Sequence, residues 1–206
     1  MRYMKKLTPF LAVLLLLGFT AVNPGITKKE KKYAVELLDE TRADLQNTVA
    51  GLSEDQFNFK PAADRWSIKE CIQHIVLTET ALWQLTEATL KAAPNPDKRS
   101  EIKMTDEVLI KAMENRTNRV KTAEQFYPEK AASIPTALSA LSAFNEQRGK
   151  LIKYMKKTDD DMRSHVAQTP LGHLDSYQLI LFMAAHSNRH TQQIAEVKAD
   201  PNFPKQ

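Results

Sequence analysis

Asp175-Ser176-Tyr177-Gln178-Leu179-Ile180-Leu181-Phe182-Met183-Ala184-Ala185-His186-Ser187-Asn188-Arg189-His190 is the stretch from which the fold can be read. Asp175 and Gln178 form a capping-box pattern: the acid accepts from a free backbone N–H three residues on, and the glutamine reaches back. No glycine or proline follows before Pro201, so one helix is expected to run to about Val197. Leu179, Phe182 and Met183 recur at helical spacing as an inward stripe, which His186, His190 and Gln193 continue. A helix turns once in about 3.6 residues, so His186 and His190 project from the same face. Two imidazoles so placed can share one metal ion. Ser187 stands where a zinc peptidase of the H-E-x-x-H type has its glutamate, so that general base is missing.

The same pattern recurs upstream. Ser67-Ile68-Lys69-Glu70 is a second capping box, opening a helix whose apolar side carries Ile68, Cys71, Ile75, Thr78, Leu82 and Leu85 and which should stop before Pro94. His74 lies on that side, one turn after Cys71. An earlier helix is expected from about Lys31 to Leu52, with Ala34, Leu38, Thr41, Leu45, Thr48 and Leu52 in one stripe. Another should begin around Pro135, with Leu138, Leu141, Phe144, Leu151, Ile152 and Met155 on its apolar face. Residues 95–132 read as a polar excursion with a short helix through Val108, Leu109 and Met113, and Thr169-Pro170-Leu171-Gly172 reads as a turn. Four long helices in series predict an all-α, up-down-type four-helix bundle over residues 26–206.

Composition agrees. Only 5 glycines occur among 206 residues, and 42% of the chain is apolar and 26% charged, as in helical globular domains. Residues 1–25 read as a signal peptide: Arg2, Lys5 and Lys6, then the apolar run Leu7–Val22, then Asn23-Pro24-Gly25. The apolar run is shorter than the ~20 residues that span a bilayer. Export to the periplasm or beyond is therefore expected, with anchoring by an uncleaved segment as the alternative. N-terminal sequencing of protein from its native host should start between Ala21 and Lys28; an intact Met1 in the soluble cytoplasm would reject export. Without the three basic residues of the leader the formal charge of +4 falls to about +1, which excludes an electrostatic case for nucleic-acid binding. Cys71 is the lone cysteine, so no intramolecular disulfide forms.

Taken singly, the candidate residues have plain readings. His74 suits a satisfied core histidine, Cys71 a small buried apolar residue, and Trp66 and Trp83 packing. His165 and His173 fall near turns and are expected in solvent. Arg189 suits either a substrate anion or the surface. Three inward imidazoles, however, are costly without a metal ion or hydrogen bonds to occupy them.

Phe59-Lys60-Pro61, Arg65-Trp66-Ser67-Ile68-Lys69-Glu70-Cys71-Ile72-Gln73-His74, Thr169-Pro170-Leu171-Gly172 and His186-Ser187-Asn188-Arg189-His190-Thr191-Gln192-Gln193-Ile194 resemble, in order and spacing, the two signatures of the DinB-like superfamily, also called YfiT-like metal-dependent hydrolases. The resemblance covers nearly all of residues 31–198. It implies a four-helix bundle in which His74, His186 and His190 bind nickel or zinc, with Gln193 beside the site. Among its activities are thiol-dependent S-transferases and a thiol-dependent isomerase. Three neutral histidines leave a position open on a tetrahedral ion. The expected function is thus a metal-dependent hydrolase or thiol-type transferase, and the alternative a non-catalytic, exported metal- or ligand-binding bundle. No catalytic side chain stands out; Glu70 and Glu79 are the nearest carboxylates, with Glu70 engaged as a cap. The expected partner is a small-molecule substrate of undetermined identity, with neither nucleic acid nor a stable membrane span after processing. A homodimer is open to such a bundle.

Overall fold

A computed structural model describes residues 25–205; the leader up to Pro24, on which the expectation of export falls, lies outside them. Among the described residues the chain is all-α apart from one small hairpin. Its elements are α1 (Lys28–Val49), α2 (Glu54–Asn58), α3 (Ile68–Lys91), α4 (Asp106–Glu114), α5 (Ala137–Lys157), β1 (Val166–Thr169), β2 (Gly172–Asp175) and α6 (Ser176–Lys198), with short 3₁₀ turns at Pro96–Glu101, Glu124–Phe126 and Pro128–Lys130. α1, α3, α5 and α6 form the four-helix bundle. α6 packs on α1 and α3, and α5 packs on the same two helices, so α1 faces α3 across one diagonal and α5 faces α6 across the other. The long connections between helices let chain neighbours stand apart in this way.

Both capping boxes form. Ser67 Oγ accepts from the Glu70 N–H while Glu70 Oε2 accepts from the Ser67 N–H at 2.7 Å, and Asp175 and Gln178 repeat the arrangement. Helix starts fixed this firmly set the rotation of each helix, and hence where its histidines project. α5 begins close to where it was expected, but Thr136 is its N-cap, so Pro135 lies just before the helix rather than in its first turn. Its inward stripe also differs. Leu138 is exposed, while Phe144, Arg148, Leu151 and Met155 are buried.

Arg148 lies at the centre of the bundle. From α5 its guanidinium donates to Thr41 Oγ1 on α1 at 2.7 Å and to Ser187 Oγ on α6 at 2.9 Å, and it pairs with Glu79 on α3. One side chain thus joins all four helices. At the other end, Arg163 donates to Glu30 at 2.6 Å, Asp106 at 2.5 Å and Asp175 at 2.9 Å, while its guanidinium carbon lies 4.2 Å from the Tyr177 ring centroid. This knot ties the starts of α1, α4 and α6 together and fixes α6 at its cap.

Residues 95–132 are more than a polar excursion. α4 packs on α6, with Leu109 and Ile110 buried in the core beside Leu179 and Met183. The segment around Thr169–Gly172 is also more than a turn. Two four-residue strands pair antiparallel across it, from Val166 opposite Asp175 to Thr169 opposite Gly172. Gly172 has φ 99°, a left-handed conformation that other residues rarely adopt. Strands this short, next to strong helical patterns, carry no readable alternation.

Candidate metal centre

His74 projects from the first half of α3, and His186 and His190 from the middle of α6; the two helices pack together. All three rings are buried, with 3%, 6% and 7% of their residues' surfaces exposed. Their Nε2 atoms converge: His186 Nε2 lies 3.3 Å from that of His74 and 3.2 Å from that of His190. The candidate ligand atoms of the trio lie within 4.8 Å of one another. Nitrogen ligands about 2.0–2.1 Å from a tetrahedral ion stand roughly 3.3 Å apart, so both short distances suit a shared ion.

The hydrogen bonds behind the rings settle which nitrogens carry protons. His74 Nδ1 lies 2.7 Å from the carbonyl oxygen of Phe126 and can only donate to it. His190 Nδ1 lies 3.0 Å from Gln193 Oε1. That atom also accepts from Arg116 Nη1 at 3.5 Å, which marks it as the amide oxygen, because a guanidinium only donates. Both rings therefore carry the proton on Nδ1 and turn a bare Nε2 inward. His186 has its own Nε2 between these two lone pairs, and its Nδ1 is buried without a partner. A neutral His186 can donate to one of the two lone pairs at most, so imidazoles alone leave the cluster unsatisfied. A cation at the point of convergence satisfies all three Nε2 atoms, and on this ground the residues fit a metal ion.

The electrostatics keep the donors neutral. Burial pushes His74 below the ordinary histidine value of 6.5 and His186 and His190 well below it; for the latter two the neighbouring rings, and for His186 the Arg189 guanidinium, add to the effect. Neutral imidazole is the form that binds metal. Trp66 covers the cluster, its ring 4.8 Å from His74 and stacked 6.1 Å from His190. It therefore lines the site as well as packing.

Other candidates stand apart. Cys71 is fully buried, and burial pushes its thiol up, so it is no nucleophile at neutral pH. Glu70 is held by its cap and by Lys60 at 2.9 Å, and Glu79 is held by Arg148, so neither carboxylate is free to act as a base. His165, expected in solvent, is buried and bonds the Thr89 carbonyl through Nδ1 at 2.9 Å. His173 lies on β2, 3.3 Å from Glu101. Arg189 is largely buried rather than on the surface. Its guanidinium donates to the carbonyls of Met113 at 3.3 Å, Asn118 at 2.9 Å and Asn115.

The sequence reading missed the contribution of residues 113–126. This strap supplies the Phe126 carbonyl behind His74 and the Arg116 side chain behind Gln193. A backbone carbonyl leaves no trace in a sequence. Arg116 lies in a polar loop with no periodicity, so no signal marked it.

A bundle with three convergent histidines on two packed neighbouring helices defines a class of metal-binding helical domain, and the comparisons give it a family. The profile of the DinB superfamily matches residues 37–194, and the chain belongs to that superfamily. It is similar to the uncharacterized protein YuaE of Bacillus subtilis strain 168, with 25% identity over 165 residues, 80% of this chain and 96% of that protein. Among solved structures it is similar to YfiT from Bacillus subtilis, described as a probable metal-dependent hydrolase with an unusual four-helix bundle topology. That likeness has a TM-score of 0.58 at 15% identity and covers 87% of this chain and 91% of YfiT, so it speaks for the fold.

Proposed function

We propose that this protein is a metal-dependent enzyme, a hydrolase or thiol-type transferase, in which His74, His186 and His190 bind zinc or nickel through Nε2. The convergence of three bare or shared Nε2 atoms in a buried cluster carries the reading. A divalent ion held there supplies Lewis acidity, lowering the pKa of a water or thiol group that joins it at an open position. The chain's own part is to hold and to exclude. The Phe126 carbonyl and Gln193 keep two rings aimed, Trp66 shields the cluster from bulk water, and the buried helix interface keeps the imidazoles neutral.

The test has two stages. Purified protein should contain about one divalent ion per chain, as three ligands and an open position require. Metal-loaded protein is then screened against esters, amides and thiol adducts. Turnover that a chelator abolishes supports the enzyme; stoichiometric metal without turnover across all three classes favours the binding bundle instead.

Stability should follow metal and pH together. Metal bound only by the folded chain stabilises it by about 2.7 kcal/mol at a free concentration 100 times the dissociation constant. The histidines also have lower pKa values folded than the ordinary 6.5. Below about pH 6.5 the unfolded chain therefore binds more protons than the folded one, and stability rises with pH. Their contribution is complete above about 6.5 and is lost as pH falls through the folded values. Protons also displace the metal, in the same direction. Thermal melts between about pH 8 and pH 5 should show a steeper acid loss for metal-loaded than for chelator-treated protein. Coincident curves from protein of verified metal content would contradict the coupling.

A further inference from the structure

The amide of Gln193 can face His190 in two ways, with opposite consequences. With its oxygen toward Nδ1 it accepts the ring proton, and Nε2 stays bare. Turned over, its NH2 group donates to Nδ1, the ring proton resides on Nε2, and that nitrogen can no longer coordinate a metal. What else the amide touches decides between the two. Arg116 Nη1 lies 3.5 Å from Gln193 Oε1, the oxygen that His190 Nδ1 meets at 3.0 Å. An amide nitrogen in that position would set N–H against N–H, because arginine carries donors only.

Arg116 is itself firmly placed. Its side chain is 18% exposed. Its Nε and Nη2 donate to the two oxygens of Glu196 at 3.0 and 2.6 Å, a fork that holds the guanidinium plane. Its backbone lies between the Asn115 and Asn118 carbonyls that Arg189 grips from α6. Gln193, Glu196 and Arg189 all belong to the helix that carries His190, so helix and strap are locked in register around this one guanidinium.

We propose that Arg116 is a positioning residue that pins the Gln193 amide, and through it the tautomer of His190, keeping Nε2 free for a metal ion. The inference rests on His74, His186 and His190 being the ligands. It assigns a task to a residue that touches neither metal nor ligand.

Two readouts test it. In metal-free protein with labelled histidine, the ring ¹⁵N shifts of His190 should report a proton on Nδ1 in the wild type and a mixture with the Nε2–H form in Arg116→Ala. Zinc affinity, measured by competition with a chromophoric chelator, should fall about tenfold or more in Arg116→Ala, within the 10–100-fold range of residues that orient ligands. Gln193→Glu replaces the amide with a carboxylate that accepts at both oxygens. In that background Arg116→Ala should change zinc affinity by no more than about twofold, the scatter of independent sites. Arg116→Met keeps the stem and removes the donors, and is measured in parallel so that poor folding of the alanine variant does not decide the outcome. An unchanged His190 tautomer, or an equal loss of affinity with and without Gln193→Glu, overturns the proposal. If wild-type protein binds no zinc, the ligand assignment fails instead, and the ring shifts still decide the role of Arg116.

Discussion

Replacing any one of His74, His186 or His190 with alanine is expected to remove most of the metal from the purified protein, and the double replacements are expected to lose little more. In the proposed site each imidazole is one of three ligands, so its loss should exceed the 10–100-fold effect of residues that only orient a ligand. The effects are not additive because ligands of one ion do not act independently. His74 is the sharpest of the three, being on a different helix from the pair. Its Nε2 is 3.3 Å from that of His186, and the Phe126 carbonyl fixes its ring. His165→Ala and His173→Ala serve as controls, since one bonds Thr89 and the other faces Glu101, and both should keep near-stoichiometric metal. Metal analysis after gel filtration reads the result, with circular dichroism to verify the helices. Wild-type affinity in His74→Ala alongside loss in His186→Ala would break the three-histidine assignment.

Arg148→Met is expected to be the most destabilising substitution outside the metal centre. The wild-type side chain is 0% exposed and its partner Glu79 is 3% exposed. Removing one member of a buried ion pair leaves an uncompensated charge and typically costs about 3–5 kcal/mol. For a domain of this size each kcal/mol moves the melting temperature by roughly 2–4 °C. The pair as such need not be stabilising, since apolar side chains of similar volume often replace buried pairs without loss. Arg148→Met combined with Glu79→Leu should therefore recover most of the stability. The neighbouring hydroxyls are not orphaned by the change: Thr41 still donates to the Leu37 carbonyl at 2.8 Å and Ser187 to that of Ala184 at 2.9 Å. Thermal and denaturant melts of the single and double variants read the outcome. A single variant within about 1 kcal/mol of wild type would show that the charge is not held where it is costly.

These two expectations differ in how far the sequence announces them. Capping boxes at Ser67 and Asp175 and stripes such as Leu179, Phe182, Met183 made the helices legible, because helical periodicity and end chemistry are local. The placement of His74 opposite His186 and His190 was legible for the same reason, through inward faces, and the family resemblance named the set. Arg148 was not. Its spacing from Phe144 and Leu151 puts it on the inward stripe, but its charge gives no sign of the partners that let it be buried there, Glu79, Thr41 and Ser187, which distant stretches of chain contribute. The short helix through Val108, Leu109 and Met113 was legible, but the polar balance of residues 95–132 concealed that this helix, α4, buries Leu109 and Ile110 in the core.

Besides the Arg116 fork, the strap of residues 113–126 holds its place through atoms that every amino acid shares. Arg189 grips the carbonyls of Met113, Asn115 and Asn118, and His74 leans on that of Phe126. Most substitutions at these four positions leave the oxygen where it was, whereas one residue more or fewer moves it by up to about 3.8 Å. A mutational scan here should look permissive to changes of letter and intolerant to changes of length. Apart from Arg116, whose side chain bonds Gln193 and Glu196, identity is free to drift along this stretch while the ruler it embodies is kept, and relatives would be matched better by the count of residues between α4 and the Phe126 turn than by which residues they are.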